Sequence, residues 1–127
     1  MRSDSLADLP ATALELRSTL TDDGVVTMGI RETDVVSPTD DQVVVRVDAA
    51  PINPSDLGMM LGGGDAREAR AAGDDTHAAV SIPITEAAVA AQRARLGKPM
   101  PVGNEGGGVV VAAGSSPSAQ ALLGKTV

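Results

Sequence analysis

Two short polar segments contain the residues of this chain that are best suited to chemistry. The first reads Asn53-Pro54-Ser55-Asp56 and the second reads Gly103-Asn104-Glu105-Gly106. The first segment also has a local explanation, because Asn53 can cap a helix that begins at the proline, with Asp56 as the capping-box partner. The second can be a tight turn that leads into the next strand. Pattern alone therefore favours structural roles for both segments.

The sequence lacks the motifs of a zinc site, a serine nucleophile, a phosphate-binding loop and a dinucleotide-binding loop. A zinc site needs about four nitrogen, sulfur or oxygen ligands, but His77 is the only histidine and there is no cysteine, so we expect His77 to lie in a solvated loop. There is no Gly-x-Ser-x-Gly segment for a serine nucleophile. Gly124-Lys125-Thr126 ends like a phosphate-binding loop, but Ala119 stands where that motif requires glycine. The stretch 103–108 lacks the Gly-x-Gly-x-x-Gly spacing of a dinucleotide cradle.

Composition narrows the classes of partner. The chain of 127 residues is 43% hydrophobic and 21% charged, with no aromatic residue, so one domain with an aliphatic core is expected. A net charge of −7 argues against nucleic acid and against an anionic membrane surface as partners. The absence of cysteine and of an apolar leader segment leads us to expect a cytoplasmic protein.

Alternating apolar residues predict a mainly β fold. After a polar leader, residues 1–11, strands are expected over 13–20, 25–33, 42–48 and 109–113. The first two are joined by Asp23-Gly24, which is a strong hairpin signal. The apolar residues expected on one face of these two strands are Leu14, Leu16, Leu20, Val26, Met28 and Ile30.

Helices are predicted in the middle of the chain and near its end. The first runs from Pro54 to about Leu61, and residues 62–98 are expected to form a helical insertion that lies on the β core. Within the insertion, one helix is capped by Asp65 and ends before Gly73, and a longer one is capped by Thr85. A short helix after Ser116 precedes residues 125–127, which read as the start of a strand. We therefore expect a longer protein.

The order of these features resembles the N-terminal region of the medium-chain dehydrogenase/reductases, the alcohol dehydrogenase GroES-like domain. A hairpin and a third strand are followed by the Asn53 segment, the Asn104 segment and a valine-rich strand. The sequence is most similar to the quinone oxidoreductase and enoyl thioester reductase branches, over residues 13–61 and 99–127. The resemblance implies a GroES-like, partly open barrel with short helices. It also implies that the nucleotide-binding domain lies outside residues 1–127.

The resemblance also implies a chemistry and the residues that serve it. Zinc-dependent members have a cysteine near the first segment and a histidine in the second, where this chain has Asn104, so a zinc-independent member is implied. Such enzymes transfer a hydride from NADPH or NADH to a polarised double bond. Asn53 would be catalytic and would contact the cofactor, Asn104 would bind the cofactor at the cleft edge, and Asp56, Glu105 and Gly106 would support the site.

Two functions follow as expectations. The enoyl thioester reductases have a tyrosine shortly after the first segment, and this chain has none, so we rank a quinone or another enone above an enoyl thioester as the substrate. We expect a homo-oligomer that binds a small molecule, and we expect residues 1–127 alone to be inactive. The alternative is a non-enzymatic GroES-like module that binds or assembles with a partner.

Overall fold

The computed structural model describes residues 9–127, which form two compact units. One unit contains residues 9–13 together with Thr33–Pro51 and Glu105–Val127, and the other contains Leu14–Glu32 and Ile52–Asn104. We call them the first and the second unit. Residues 1–8 of the predicted polar leader lie outside the described residues.

The mainly β prediction is confirmed. The strands are β1 (Thr12–Thr21), β2 (Val25–Asp34), β3 (Val43–Ala49), β4 (Arg70–Gly73), β5 (Ala78–Pro83), β6 (Met100–Pro101) and β7 (Gly107–Ala113). The helices are α1 (Pro54–Leu61), α2 (Glu86–Ala91) and α3 (Pro117–Gln120). The strands form a five-stranded sheet in the order β4-β5-β2-β1-β6 and a two-stranded sheet of β3 and β7.

The second unit is built on the predicted β1–β2 hairpin. Gly24 ends the turn with φ +81°, a left-handed conformation that glycine adopts without strain. Leu20 and Val26 are completely buried and Ile82 of β5 is 1% exposed, so these three aliphatic side chains form the core. Leu14 lies on the same face of β1 by strand alternation but is 68% exposed near the beginning of the strand, so burial of this face does not extend to it.

The prediction that residues 62–98 form a helical insertion is wrong for residues 70–83. They form an antiparallel hairpin, in which Ala71 of β4 pairs with Val80 of β5. The predicted helix after Asp65 is limited to a 3-10 turn, Ala66–Glu68, and α2 is shorter than expected. The sheet outweighs the helical propensity of this alanine-rich stretch because β5 also pairs with β2, where Val26 is opposite Ile82.

The first unit is organised around β7. Val45 of β3 pairs with Val110, and the register shifts between Val44 and Val45, which marks a β-bulge. On the other edge of β7, the predicted strand at the end of the chain is limited to an isolated antiparallel bridge between Val109 and Thr126, with backbone hydrogen bonds on either side of it. Val127 accepts from the Gly108 N–H at 3.0 Å and donates to the Gly108 oxygen at 2.9 Å.

The interior of the first unit is formed by small aliphatic side chains. Val110 and Ala112 of β7 are 1% and 2% exposed, and Ala119 of α3 is 3% exposed. Ser116 caps α3 by accepting a hydrogen bond from the Ala119 N–H at 3.2 Å. Within residues 9–127, no helix combines the length and the apolar character that crossing a membrane requires.

Candidate functional site

Helix α1 begins at the first polar segment, as predicted. Asn53 is the cap residue in an extended conformation and a proline occupies the first turn, where its missing N–H costs nothing. The Asp56 carboxylate accepts a hydrogen bond from the Asn53 backbone N–H at 2.8 Å, which is its half of the predicted capping box. Asp56 is only 3% exposed, so the start of α1 encloses a nearly buried acid.

The second polar segment supplies the other partner of Asp56. The Asn104 side-chain amide donates to the second carboxylate oxygen of Asp56 at 3.1 Å. The two segments that sequence analysis selected, far apart in the chain, thus meet within the second unit. We call Asn53, Asp56 and Asn104 the amide–carboxylate cluster. Asn53 is half-buried and Asn104 is exposed, so the cluster lies at the surface above a buried anchor.

The structure does not bring all predicted site residues into this cluster. Glu105 and Gly106 belong to the first unit and both are exposed. A Cβ atom added to Gly106 would lie 3.3 Å from Val47 Cγ1, which gives this glycine a packing role beside β3.

A second polar cluster, which sequence analysis missed, lies deeper in the second unit. Ser18 is completely buried, and its hydroxyl donates to the Met59 carbonyl oxygen at 2.9 Å. Arg95 Nη2 donates to the same hydroxyl at 2.7 Å, and Arg95 Nη1 donates to the Met59 oxygen at 3.2 Å. We call Ser18, Met59 and Arg95 the arginine cluster.

The electrostatics of the arginine cluster are unusual for a guanidinium. All the acceptors that Arg95 contacts in the described part of the chain are neutral, and its Nε is buried without an acceptor there. Burial lowers the pKa of Arg95 below its ordinary value. The group stays charged because the ordinary pKa of arginine lies far above neutral pH.

One signal in the sequence could have identified the arginine cluster. Ser18 shares the face of β1 that carries Leu16 and Leu20, and a polar residue on an apolar face needs a partner. The partner, Arg95, lies 77 residues away in the chain, and no local pattern connects the two residues.

His77 lies at the turn between β4 and β5. The Asp74 carboxylate accepts from the backbone N–H groups of Thr76 and His77 at 2.8 and 2.9 Å. The hydrogen bond from the Thr76 hydroxyl, together with these two backbone bonds, lowers the pKa of Asp74 to about 2. An aspartate side chain that accepts hydrogen bonds from backbone N–H groups two and three residues ahead favours a turn, which explains the turn at Asp74. Over residues 9–127 no group of three acidic or histidine side chains is arranged to hold a metal ion.

No protein-family model matches the chain, and no curated protein matches it. The residues and their arrangement are therefore the basis on which a function can be proposed for this chain.

Proposed function

We propose that this chain is the substrate-side part of a zinc-independent NAD(P)H-dependent oxidoreductase that reduces a quinone, an enone or a similar activated double bond. The observation that carries the proposal is the amide–carboxylate cluster. Asp56 accepts hydrogen bonds from the Asn53 backbone and from the Asn104 side chain, at 2.8 and 3.1 Å. It thus holds together the two segments in which the resemblance puts the cofactor and substrate contacts.

The residues of the cluster suit the nicotinamide end of NADPH or NADH. Asn104 uses its amide nitrogen on Asp56, and its amide oxygen makes no hydrogen bond within the described residues. An exposed acceptor of this kind fits the carboxamide of a nicotinamide ring. We therefore assign Asn53 and Asn104 to cofactor binding, with Asp56 as the residue that fixes their positions.

Bound NADPH would supply the hydride. The proposal includes a second domain that binds the nucleotide. The task of this chain is then to bind and orient the substrate and to exclude water. Asn53 contacts the substrate beside the cofactor in this assignment. Since the chain contains no tyrosine, a quinone or enone, whose reduction needs less proton donation from the protein, remains the favoured substrate class.

The proposal is tested by the turnover of the protein expressed from its complete gene. NADPH oxidation is followed with 1,2-naphthoquinone and with a simple enone as acceptors. We expect activity with at least one acceptor and a decrease in kcat/KM of about tenfold to a hundredfold for Asn53→Ala, because a misplaced substrate reacts slowly. Gln42→Ala, an exposed amide outside the cluster, is the matched control and should retain wild-type activity.

A second candidate function is a non-enzymatic module that binds or assembles with a partner. The observation that favours it is the exposure of apolar side chains beside the cluster, where Ile52 is 72% and Leu57 is 44% exposed. This candidate predicts no NADPH oxidation with any acceptor. It also predicts that Asn53→Ala leaves partner binding unchanged while Ile52→Ser weakens it.

A further inference from the structure

A cleft beside the arginine cluster is lined by both apolar and cationic side chains. It has a volume of about 500 Å³, and its walls include Met59, Ala94 and Met100. These walls are apolar, and two cations, Arg95 and Lys98, line the same cleft. The cleft therefore combines an apolar surface with concentrated positive charge.

Neither cation forms an ion pair with an acid in the part of the chain that the structure describes. The ion pairs among residues 9–127 join Arg17 to Glu15, Arg46 to Asp48 and Arg67 to Asp65. Lys98 Nζ donates to the Ala94 carbonyl oxygen at 2.8 Å, which satisfies one of its N–H groups and none of its charge. Arg95 contacts only neutral acceptors, as described above.

The charge is also concentrated in the sequence. Residues 87–104 contain three basic residues and no Asp or Glu, in a chain with a net charge of −7. A half-buried guanidinium without a counter-ion is costly. An anion in the cleft would offset that cost without any rearrangement of the arginine cluster.

The chemistry of the donors selects the kind of anion. Arg95 Nη2 donates to one acceptor, Ser18 Oγ, and so keeps a further N–H. Lys98 likewise keeps N–H groups beyond the one on Ala94. This small set of donors suits the single charge of a carboxylate better than a phosphate, and the methionine walls suit an alkyl body.

We propose that this cleft binds a small organic acid, with its carboxylate between Arg95 and Lys98 and its apolar body against Met59 and Met100. The site is separate from the cofactor contacts assigned to Asn53 and Asn104. It needs no nucleotide, so it stands or fails independently of the reductase proposal.

The test is a titration of the ¹⁵N-labelled chain with hexanoate, followed by NMR, with the neutral isostere hexanamide in parallel. We expect saturable shifts of the Met59, Lys98 and Met100 amides with hexanoate and about tenfold weaker binding of hexanamide. Lys98→Gln should weaken hexanoate binding about tenfold. Arg93→Gln is the matched control, because it removes a nearby exposed cation that does not line this cleft, and it should bind like the wild type.

Three results would overturn the proposal. Equal binding of hexanoate and hexanamide would mean an apolar cleft without a preference for anions. Equal weakening by Lys98→Gln and Arg93→Gln would mean diffuse attraction by charge. The absence of saturable shifts at these amides would mean no site. Because Lys98 is exposed, its substitution leaves the fold intact, and Arg95→Lys provides a second variant that keeps the charge.

Discussion

Asp56 connects the two polar segments at the scale of single residues. Its carboxylate is nearly buried, and each of its oxygens accepts one hydrogen bond. Removing this acceptor leaves the partly buried Asn53 N–H without its partner, which costs more than the net value of the hydrogen bond itself. Asn104 is exposed, so a water molecule can replace the hydrogen bond that its side chain donates to Asp56.

We therefore expect Asp56→Ala to lower the free energy of unfolding by about 2 kcal/mol and Asn104→Ala by about 1 kcal/mol or less. Urea denaturation of both variants, and of the double variant, measures this. Because Asn104 loses its partner in Asp56→Ala, the double variant should be less destabilised than the sum of the single ones. Additive losses would show that the hydrogen bond between the two side chains contributes nothing.

The lowered pKa of Asp74 predicts that the stability of the turn between β4 and β5 depends on pH. Its pKa is lowered to about 2 by hydrogen bonds from Thr76 and His77, so the ionised carboxylate stabilises the turn. That contribution is complete above the unfolded pKa of about 4 and is lost as the pH falls towards 2. NMR titration of the Asp74 carboxyl carbon should give a midpoint near 2, as the lowered pKa requires.

Asp74→Asn serves as the control for this dependence. Amide-exchange protection in the β4–β5 hairpin should fall between pH 4 and pH 2 in the wild type and change less in the variant. Equal protection of the wild-type hairpin at both pH values would contradict the account.

At the scale of elements, the end of α1 is fixed by close packing in the second unit. Gly62 ends the helix with φ +57°, and its N–H donates to the Gly58 oxygen at 3.1 Å. The Gln92 side chain donates to the Gly62 oxygen at 2.8 Å. A Cβ atom at position 62 would overlap Val26 Cγ2, a core atom. This glycine therefore determines how closely α1 approaches β2.

Gly62→Ala and Gly97→Ala form a matched pair that separates strain from overlap. Both glycines have positive φ, but a Cβ at Gly97 would meet nothing within 4 Å. Gly97→Ala should cost about 1 kcal/mol from the backbone alone, and Gly62→Ala about 2–4 kcal/mol because overlap in the core is added. Urea denaturation measures both, and equal losses would contradict the close packing of α1 on Val26.

The elements also show what the sequence could predict. Some signals specify structure in their own stretch of chain: the Asp23-Gly24 turn, the helix start at Asn53–Pro54 and the valine-rich strands. The elements predicted from them form within a few residues of their expected limits. Residues 70–83 depend on pairing with β2, a distant strand, and local alanine content indicated a helix instead. Asn53, Asp56 and Asn104 were selected from sequence, but the bond between Asp56 and Asn104 and the role of Arg95 depend on tertiary contacts that no local pattern encodes.

At the scale of the whole molecule, each unit exposes apolar side chains. Val36 and Val47 are 75% and 59% exposed in the first unit, and Ile52 and Leu14 are 72% and 68% exposed in the second. Apolar surface of this kind favours association. It suits either the proposed contact with a nucleotide-binding domain or the expected homo-oligomer.

We therefore expect the 127-residue chain to self-associate, with an average mass that rises with concentration in light scattering. Ile52→Ser and Val47→Ser should each lower the mass at a given concentration. Ala87→Ser, which removes little apolar area from an exposed position, is the control. A monomer at high concentration in the wild type would contradict this expectation.

The central proposal is that Asn53 and Asn104 contribute to a nicotinamide-binding site. Calorimetric titration of NADPH into the product of the complete gene tests it most directly. We expect saturable binding that weakens about tenfold in Asn104→Ala, in line with the loss of a hydrogen bond to a polar ligand, and is unchanged in Gln42→Ala. If neither NADPH nor NADH binds, the reductase proposal fails and the chain is a binding module.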